Sequence, residues 1–315
     1  MVRQYEGYKA GRSAIVPDVP FQFLTSLSLD RKAWVEIARQ APGQMTRMNL
    51  NTFHRHGVFD VEGMTELVSM RLSSPELIRK ARVFPYQLLM AYKSASGEIP
   101  GKVREALQDA METATSNVPL LVGQIVVCPD VSGSMSSPVT GLRKGATSSV
   151  RCIDVAALVA ACIVRQNPET RIMPFEHGVV NVDINPRESI MTNAQKLASI
   201  GGGGTNCSAP LVQLNDEKAK VDLVLFVSDN ESWMDPQNGR GTETMRQWNV
   251  LKKRNPHAQM VCIDIQPPAT SQAAEQGDIL NVGGFSDQVF EVIRAFVENR
   301  LGSDHWVGLI NEVEL

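Results

Sequence analysis

Asp130, Ser132 and Ser134 stand at alternate positions just after the apolar run Ile125-Val126-Val127-Cys128. A β-branched run that ends in an acid, two hydroxyls and a glycine reads as a strand. It delivers oxygen side chains to the carboxyl edge of an open α/β sheet, where such folds bind ligands. One carboxylate with two neutral hydroxyls suits a hard divalent cation, Mg²⁺ first, with Mn²⁺ and Ca²⁺ as alternatives. Most of the ion's charge is left uncancelled, so an anion from outside can complete its shell. Two further segments supply what such a site needs. Gly201-Gly202-Gly203-Gly204-Thr205-Asn206 brings a hydroxyl on a backbone that tolerates close approach. Val221-Asp222-Leu223-Val224-Leu225-Phe226-Val227-Ser228-Asp229-Asn230-Glu231 is a second buried-strand pattern ending in an acid. Serine-rich loops after strands also serve as helix caps, which is what any one piece would mean alone.

The order DxSxS, Gly-rich turn with Thr, apolar strand ending in Ser-Asp resembles the von Willebrand factor A domain. The resemblance places Asp130, Ser132, Ser134, Thr205 and Asp229 around a metal, in direct contact or through water, as a metal-ion-dependent adhesion site.

The elements that must position these residues follow a clear rhythm in the carboxyl half. A largely apolar helix spans Ile153 to Val164, and short strands are expected at 170–175 and 179–182. Helices follow at 194–200 and after Thr205, then the strand from Val221, a helix near 243–253, a strand at 259–264 and a last helix over 287–299. Strands alternating with helices imply a mostly parallel sheet covered on both faces. Pro129 would break a ladder in mid-strand and is placed at the strand's end. The expected fold class is therefore α/β, a Rossmann-like von Willebrand factor A domain over 120–300.

The amino half has helices only. Asp30 caps a helix over 31–38, and others are expected at 45–56, 64–72, 75–82, 85–93 and 102–113. Short helices joined by tight turns suggest stacked helical pairs, an all-α HEAT-like segment over 21–119, though no exact repeat is present. Met45, Met48, Met64 and Met70 occupy apolar helical positions and are assigned to the core, and Trp34 and Trp248 to helix anchoring. Residues 1–20 read as an arm or linker and 301–315 as a tail.

Residues 1–120 carry 15 Lys and Arg against 12 Asp and Glu, while the remainder carries 16 against 22. A mildly basic half joined to an acidic half would orient in the field of a polyanion, although a solvated helix surface accounts for the excess almost as well. No apolar run approaches the roughly 18 residues of a membrane span, and the start Met1-Val2-Arg3-Gln4-Tyr5-Glu6 lacks a signal-peptide core. Five cysteines without a CxxC pair read as buried free thiols, which fits a reducing, cytoplasmic setting. The glycine run lacks the Lys-Ser/Thr ending of a phosphate-binding loop. Ser132, Asp154 and His177 could form a triad, but no Gly-x-Ser-x-Gly elbow is present, and the expectation is a protein that is not an enzyme.

Gln44 to Phe59 and Arg79-Lys80-Ala81-Arg82-Val83-Phe84-Pro85-Tyr86 resemble helices of the TROVE module. Gly204-Thr205-Asn206-Cys207-Ser208, Ser228-Asp229-Asn230-Glu231 and Gly284-Phe285-Ser286 match the metal domain of the Ro autoantigen family better than a generic A domain. The resemblance covers about 20–300 and implies binding of noncoding or misfolded RNA in RNA quality control. Arg47, His54, Arg55, His56, Arg79 and Lys80 are its candidate contacts, the cations to phosphates and exposed histidines to unpaired bases. Ordinary surface charge, with His54 or His56 satisfying a helix end, is the alternative for each. A helical half of about 120 residues supplies only the last few helices of such a ring, so ring closure would require homo-oligomers. The competing expectation is a protein-interaction module whose metal takes a partner's Asp or Glu, without RNA. Neither reading involves a membrane.

Overall fold

The computed structural model describes residues 2–13, 15–17, 19–24, 26–140, 150–229, 242–266, 276–286 and 288–298. Asn230, Glu231 and the segment 301–315 lie outside the described residues. The chain forms two compact units, residues 1–83 with 87–114, and 84–86 with 115–315.

The amino-terminal helices are α1 (Val2–Lys9), α2 (Phe21–Leu24), α3 (Arg31–Gln40), α4 (Gly43–Met48), α5 (Leu50–Arg55), α6 (Met64–Ser73), α7 (Pro75–Lys80), α8 (Pro85–Ser94) and α9 (Gly101–Ala114). Asp30 caps α3 by accepting from Ala33 N at 2.8 Å, and Ser74 caps α7 with Pro75 in its first turn. The single helix expected over 45–56 is two. They part at Asn49, whose backbone leaves helical geometry and whose side-chain amide donates to Met45 O at 2.9 Å. Asparagine competes for backbone groups in this way, which makes it a poor residue for a helix interior. Residues 1–20 are not simply an arm. They begin with α1, and Val16 is buried in one core with Leu24, Trp34, Ile37 and Phe53. Met64 belongs to that core, whereas Met48 and Met70 are 73% and 69% exposed, against expectation. Arg71 reaches from α6 to the end of α3, donating to Ala38 O and Arg39 O at 2.6 Å each and to Thr46 Oγ1 at 3.1 Å.

The second unit is an α/β sandwich. Strands β1 (Ile125–Pro129), β2 (Arg171–Ile172), β3 (Leu223–Ser228), β4 (Gln259–Asp264) and β5 (Ile279–Gly283) form one sheet in the order β2-β1-β3-β4-β5, every pair parallel. The helices are α10 (Cys152–Gln166), α11 (Ile190–Ala198), α12 (Ala209–Asp216), α13 (Glu243–Arg254) and α14 (Val289–Val297). Side chains alternate along a strand. Val126, Cys128, Val224 and Phe226 therefore share one core with Leu211 of α12 and Trp248 of α13. Helix α10, buried almost throughout, packs on β1 and β3 outside that cluster, and so covers the opposite face.

The strand expected over 170–175 shrinks to β2, and 179–182 is not a strand. Met173 N and Phe175 N still donate to Val127 O and Pro129 O, but past Ile172 only single bridges remain, from Phe175 to Asp130 and Val179. Pro129 does end β1, its carbonyl accepting from Phe175 N at 3.1 Å. All five cysteines are buried free thiols. Among the described residues, no helix is long and apolar enough to cross a membrane.

Candidate metal centre

β1, β3 and β4 end side by side. Pro129 pairs with Val227, and Asp130 N donates to Val227 O at 2.9 Å, so the register carries Asp130 opposite Ser228. Ser228 pairs with Asp264 of β4. Paired residues of neighbouring strands project to the same face, which sets Asp130, Ser228 and Asp264 in a row along the carboxyl edge.

Hydrogen bonds join the sequence-selected residues at this edge. The Asp130 carboxylate accepts from Ser132 N at 2.8 Å and from Ser228 Oγ at 2.7 Å. Ser132 Oγ accepts from Thr205 Oγ1 at 2.9 Å and lies 3.2 Å from Ser134 Oγ. Asp130, Ser132, Thr205 and Asp229 are buried and Ser134 is half-buried. Asp229 directly follows β3, and its charge acts on both Asp130 and Asp264. Burial pushes the Asp130 carboxyl up to about 6, with the Ser132 and Ser228 bonds opposing and Asp229 adding to the rise. Burial and then Asp229 push Asp264 up to about 7.

The loop carrying Thr205 is held by close backbone contacts. Gly133 N donates to Gly203 O at 3.1 Å and Gly202 N to Val131 O at 3.2 Å. Gly203 has φ +71°, and a Cβ there would lie 1.8 Å from Glu176 Oε2. His177 Nε2 accepts from Gly204 N at 2.9 Å, so in the neutral ring Nδ1 carries the proton. The conceivable triad is dispersed among other bonds. Asp154 is bound by the Arg151 guanidinium at 2.9 Å, and His177 by the Gly204 amide.

The donor chemistry fits a hard cation, since carboxylates and hydroxyls alone converge here. Among the described residues no three His, Cys, Asp or Glu side chains come together as a metal-binding group, so an ion at this edge depends on the hydroxyls. Asp264 and Glu176 were not singled out from sequence, Ser228 was read only as part of the Ser-Asp strand end, and His177 only as a conceivable triad member. Asp264 did carry a usable signal, an apolar strand running into an acid, as at Asp229.

The family model of the Ro60 vWA domain matches residues 124–297, more than half of this chain. The chain belongs to the Ro60 vWA family. That membership agrees with the resemblance read from the sequence. The RNA-binding protein RO60 of Deinococcus radiodurans is 26% identical over 267 residues, covering 80% of this chain and 49% of that protein. The protein of the same name from Caenorhabditis elegans is 22% identical over 298 residues, covering 89% and 44%. This Ro60 vWA chain thus spans about half the length of the curated relatives it matches. The solved Deinococcus radiodurans RO (RSR) protein has the same fold, with TM-score 0.69 at 18% identity over 89% of this chain and 60% of the other.

The basic candidates in the helical unit of this Ro60 vWA family member divide in two. Arg47 donates to Gln87, His54 lies 3.1 Å from Glu98, and His56 stacks on Trp34 with centroids 4.6 Å apart. His56 is therefore half-buried rather than the exposed ring expected. Arg55, Arg79 and Lys80 are exposed, and among the described residues their side chains form no hydrogen bond or ion pair. They do not form one patch through their helices: α5 packs against α3, whereas α7 packs against α6 and α9.

Proposed function

We propose that this chain is a Ro-like RNA-binding protein, a binder of noncoding or misfolded RNA rather than an enzyme. The observation that carries this reading is that both relatives bearing the name RNA-binding protein RO60 align over 80% and 89% of this chain. The unpaired cations Arg55, Arg79 and Lys80 support it, since exposed guanidinium and ammonium groups without an internal partner are free to take phosphates. Asp130 and Asp229, with the hydroxyls of Ser132, Ser134 and Thr205, would hold a divalent ion, Mg²⁺ first. Such an ion, when bound, supplies a positive charge able to take one oxygen of an anionic ligand. The chain's own part is to keep those hydroxyls pointing inward, through the Thr205–Ser132 bond and the glycine contacts. Buried free thiols support a reducing cytoplasmic setting.

A second reading is a metal-dependent module that takes a partner's carboxylate without RNA, supported by the carboxylate and hydroxyls gathered at the sheet edge. A gel shift separates the two. A structured RNA with a single-stranded 3′ tail is titrated across a salt series, with Mg²⁺ or with chelator. Sub-micromolar binding that weakens with salt, and weakens further in an Arg55→Glu/Arg79→Glu/Lys80→Glu variant, is expected. For single strands each lost phosphate contact lowers the log–log salt slope by about 0.7. No shift at low salt would leave the protein-interaction reading.

A further inference from the structure

Acids outnumber bases in the carboxyl half, yet a group of its bases gathers at one edge of the sheet. Helices α12 and α13 both end where β3 and β4 begin, about 20 Å along six-residue strands from the carboxyl edge. Asn255 clamps the two turns together: its Oδ1 accepts from Val221 N and its Nδ2 donates to Ala219 O, each at 3.2 Å. Lys218 and Lys220 on one turn therefore stand beside Lys253, Arg254 and His257 on the other, all exposed. Among the described residues, the side chains of Lys218, Lys220, Lys253 and His257 form no hydrogen bond or ion pair, and Arg254 donates to the neutral Asn215. Of the acids nearby, Glu217 is held by Arg171 and Asp278 by Lys252, while the Asp222 carboxylate accepts from Gln124 N at 2.7 Å. Asp216 and Asp222 leave the cations in excess.

Cations suit the carboxyl ends of helices, where they meet the dipole, and this accounts for Lys253 and Arg254. It does not account for Lys220 and His257, which lie beyond the helices, nor for the residue type at 218. Lys218 closes α12 with φ +52°, its N–H bonded to Asn215 O and the next N–H to Leu214 O. Glycine ordinarily serves at that left-handed position, because a side chain is strained there. The chain keeps a long cation where its backbone favours glycine.

We infer that this edge is a phosphate-binding surface for RNA, a second contact region besides the cations of the helical unit. The inference rests on the RNA reading given above. Ammonium groups around a turn take backbone phosphates without reading bases, so the surface favours no sequence and its contribution weakens with salt. It lies away from the metal edge and survives chelator.

The test is fluorescence anisotropy of the full chain with the tailed RNA over a salt series, with Mg²⁺ or with chelator. Lys218→Gly/Lys220→Gln/Lys253→Gln is expected to lower affinity about tenfold at low salt and the log–log salt slope by about 2. Lys218→Gly by itself should melt no lower than wild type yet bind RNA more weakly, an opposition that a merely structural lysine would not produce. Arg187→Gln, an exposed cation just before α11, which packs on α10, is the control for Lys253→Gln and should match wild type. Unchanged affinity and slope in the triple variant, with Arg55→Glu/Arg79→Glu/Lys80→Glu weakened, would overturn this inference and leave the RNA reading standing. Loss of polyglutamate binding in the triple variant, with RNA binding unchanged, would overturn it in favour of an acidic protein segment. A wild-type chain that takes up no RNA at low salt would overturn both readings.

Discussion

Thr205 Oγ1 donates to Ser132 Oγ at 2.9 Å, a bond between buried hydroxyls 73 residues apart in the chain. It ties the glycine loop to the loop after β1. Thr205→Val keeps the shape and removes the donor, with Ser134 Oγ still 3.2 Å from Ser132 Oγ, and loss of one such hydrogen bond costs about 0.5–1.5 kcal/mol. Urea unfolding in chelator is expected to show that loss, and Mn²⁺ affinity should fall with it. A variant as stable as wild type would mean that the bond is dispensable.

The acids at the sheet edge set the pH response. Burial pushes Asp130 up to about 6 and Asp264 up to about 7, both well above the ordinary range of an aspartate. Through that interval the folded state keeps protons that the unfolded chain has released, so stability declines as pH rises. In chelator the melting temperature is therefore expected to fall between about pH 5 and pH 7.5 through these two groups. Excess Mg²⁺ should raise it by an amount that grows over the same window. Glu217, held at about 2 by its bond from Arg171, titrates below this range and does not contribute. A chelated protein whose stability increased over the window would contradict the assignment.

Gly203→Ala places a methyl group against Glu176 and asks alanine to hold φ +71°. Strain of this kind costs about 1–3 kcal/mol. The expected result is a lower melting temperature with weakened Mn²⁺ uptake, since the loop carries Thr205. Gly178→Ala, where a Cβ meets nothing within 4 Å, is the control on the facing turn and should change little.

Arg71→Ala tests the helical unit by itself. The guanidinium holds two carbonyls at the carboxyl end of α3 and the buried Thr46 hydroxyl. Hydrogen bonds from a charged donor contribute about 1.5–3 kcal/mol each, and half-burial leaves the carbonyls poorly hydrated once it is gone. A loss of about 2–3 kcal/mol is expected on chemical unfolding. Arg71→Lys should recover only part of it, because an ammonium cannot form the same fork.

Strands β1, β3 and β4 were legible because each is an apolar run stopped by a polar cluster, and α3 because Asp30 caps it. β5 escaped notice, since Ile279-Leu280-Asn281-Val282-Gly283 is short and mixes in a polar residue and a glycine. At 179–182 the alternating pattern reads as a strand, but only Val179 bridges, to Phe175, and Val180 N turns back to Pro174 O. Ignorance of neighbours also hid Asp264. Its strand-into-acid signature matched that of Asp229, but only the register of β3 against β4 shows that the two share an edge. Met48 and Met70 carried an apolar periodicity that the short helices do not turn inward. His56 was taken for a surface group because nothing local reveals its contact with Trp34, 22 positions away.

The order β2-β1-β3-β4-β5 has a kinetic consequence. The candidate residues Asp130 and Asp229 follow β1 and β3, and β3 lies against β1 although about 95 positions separate them in the chain. Such non-local pairing is slow to form, since the intervening chain must close on itself first. A polypeptide still emerging from the ribosome would carry Asp130 long before its companions were present. Any cation uptake at this edge would then have to follow the pairing of β3 with β1 rather than accompany the appearance of Asp130.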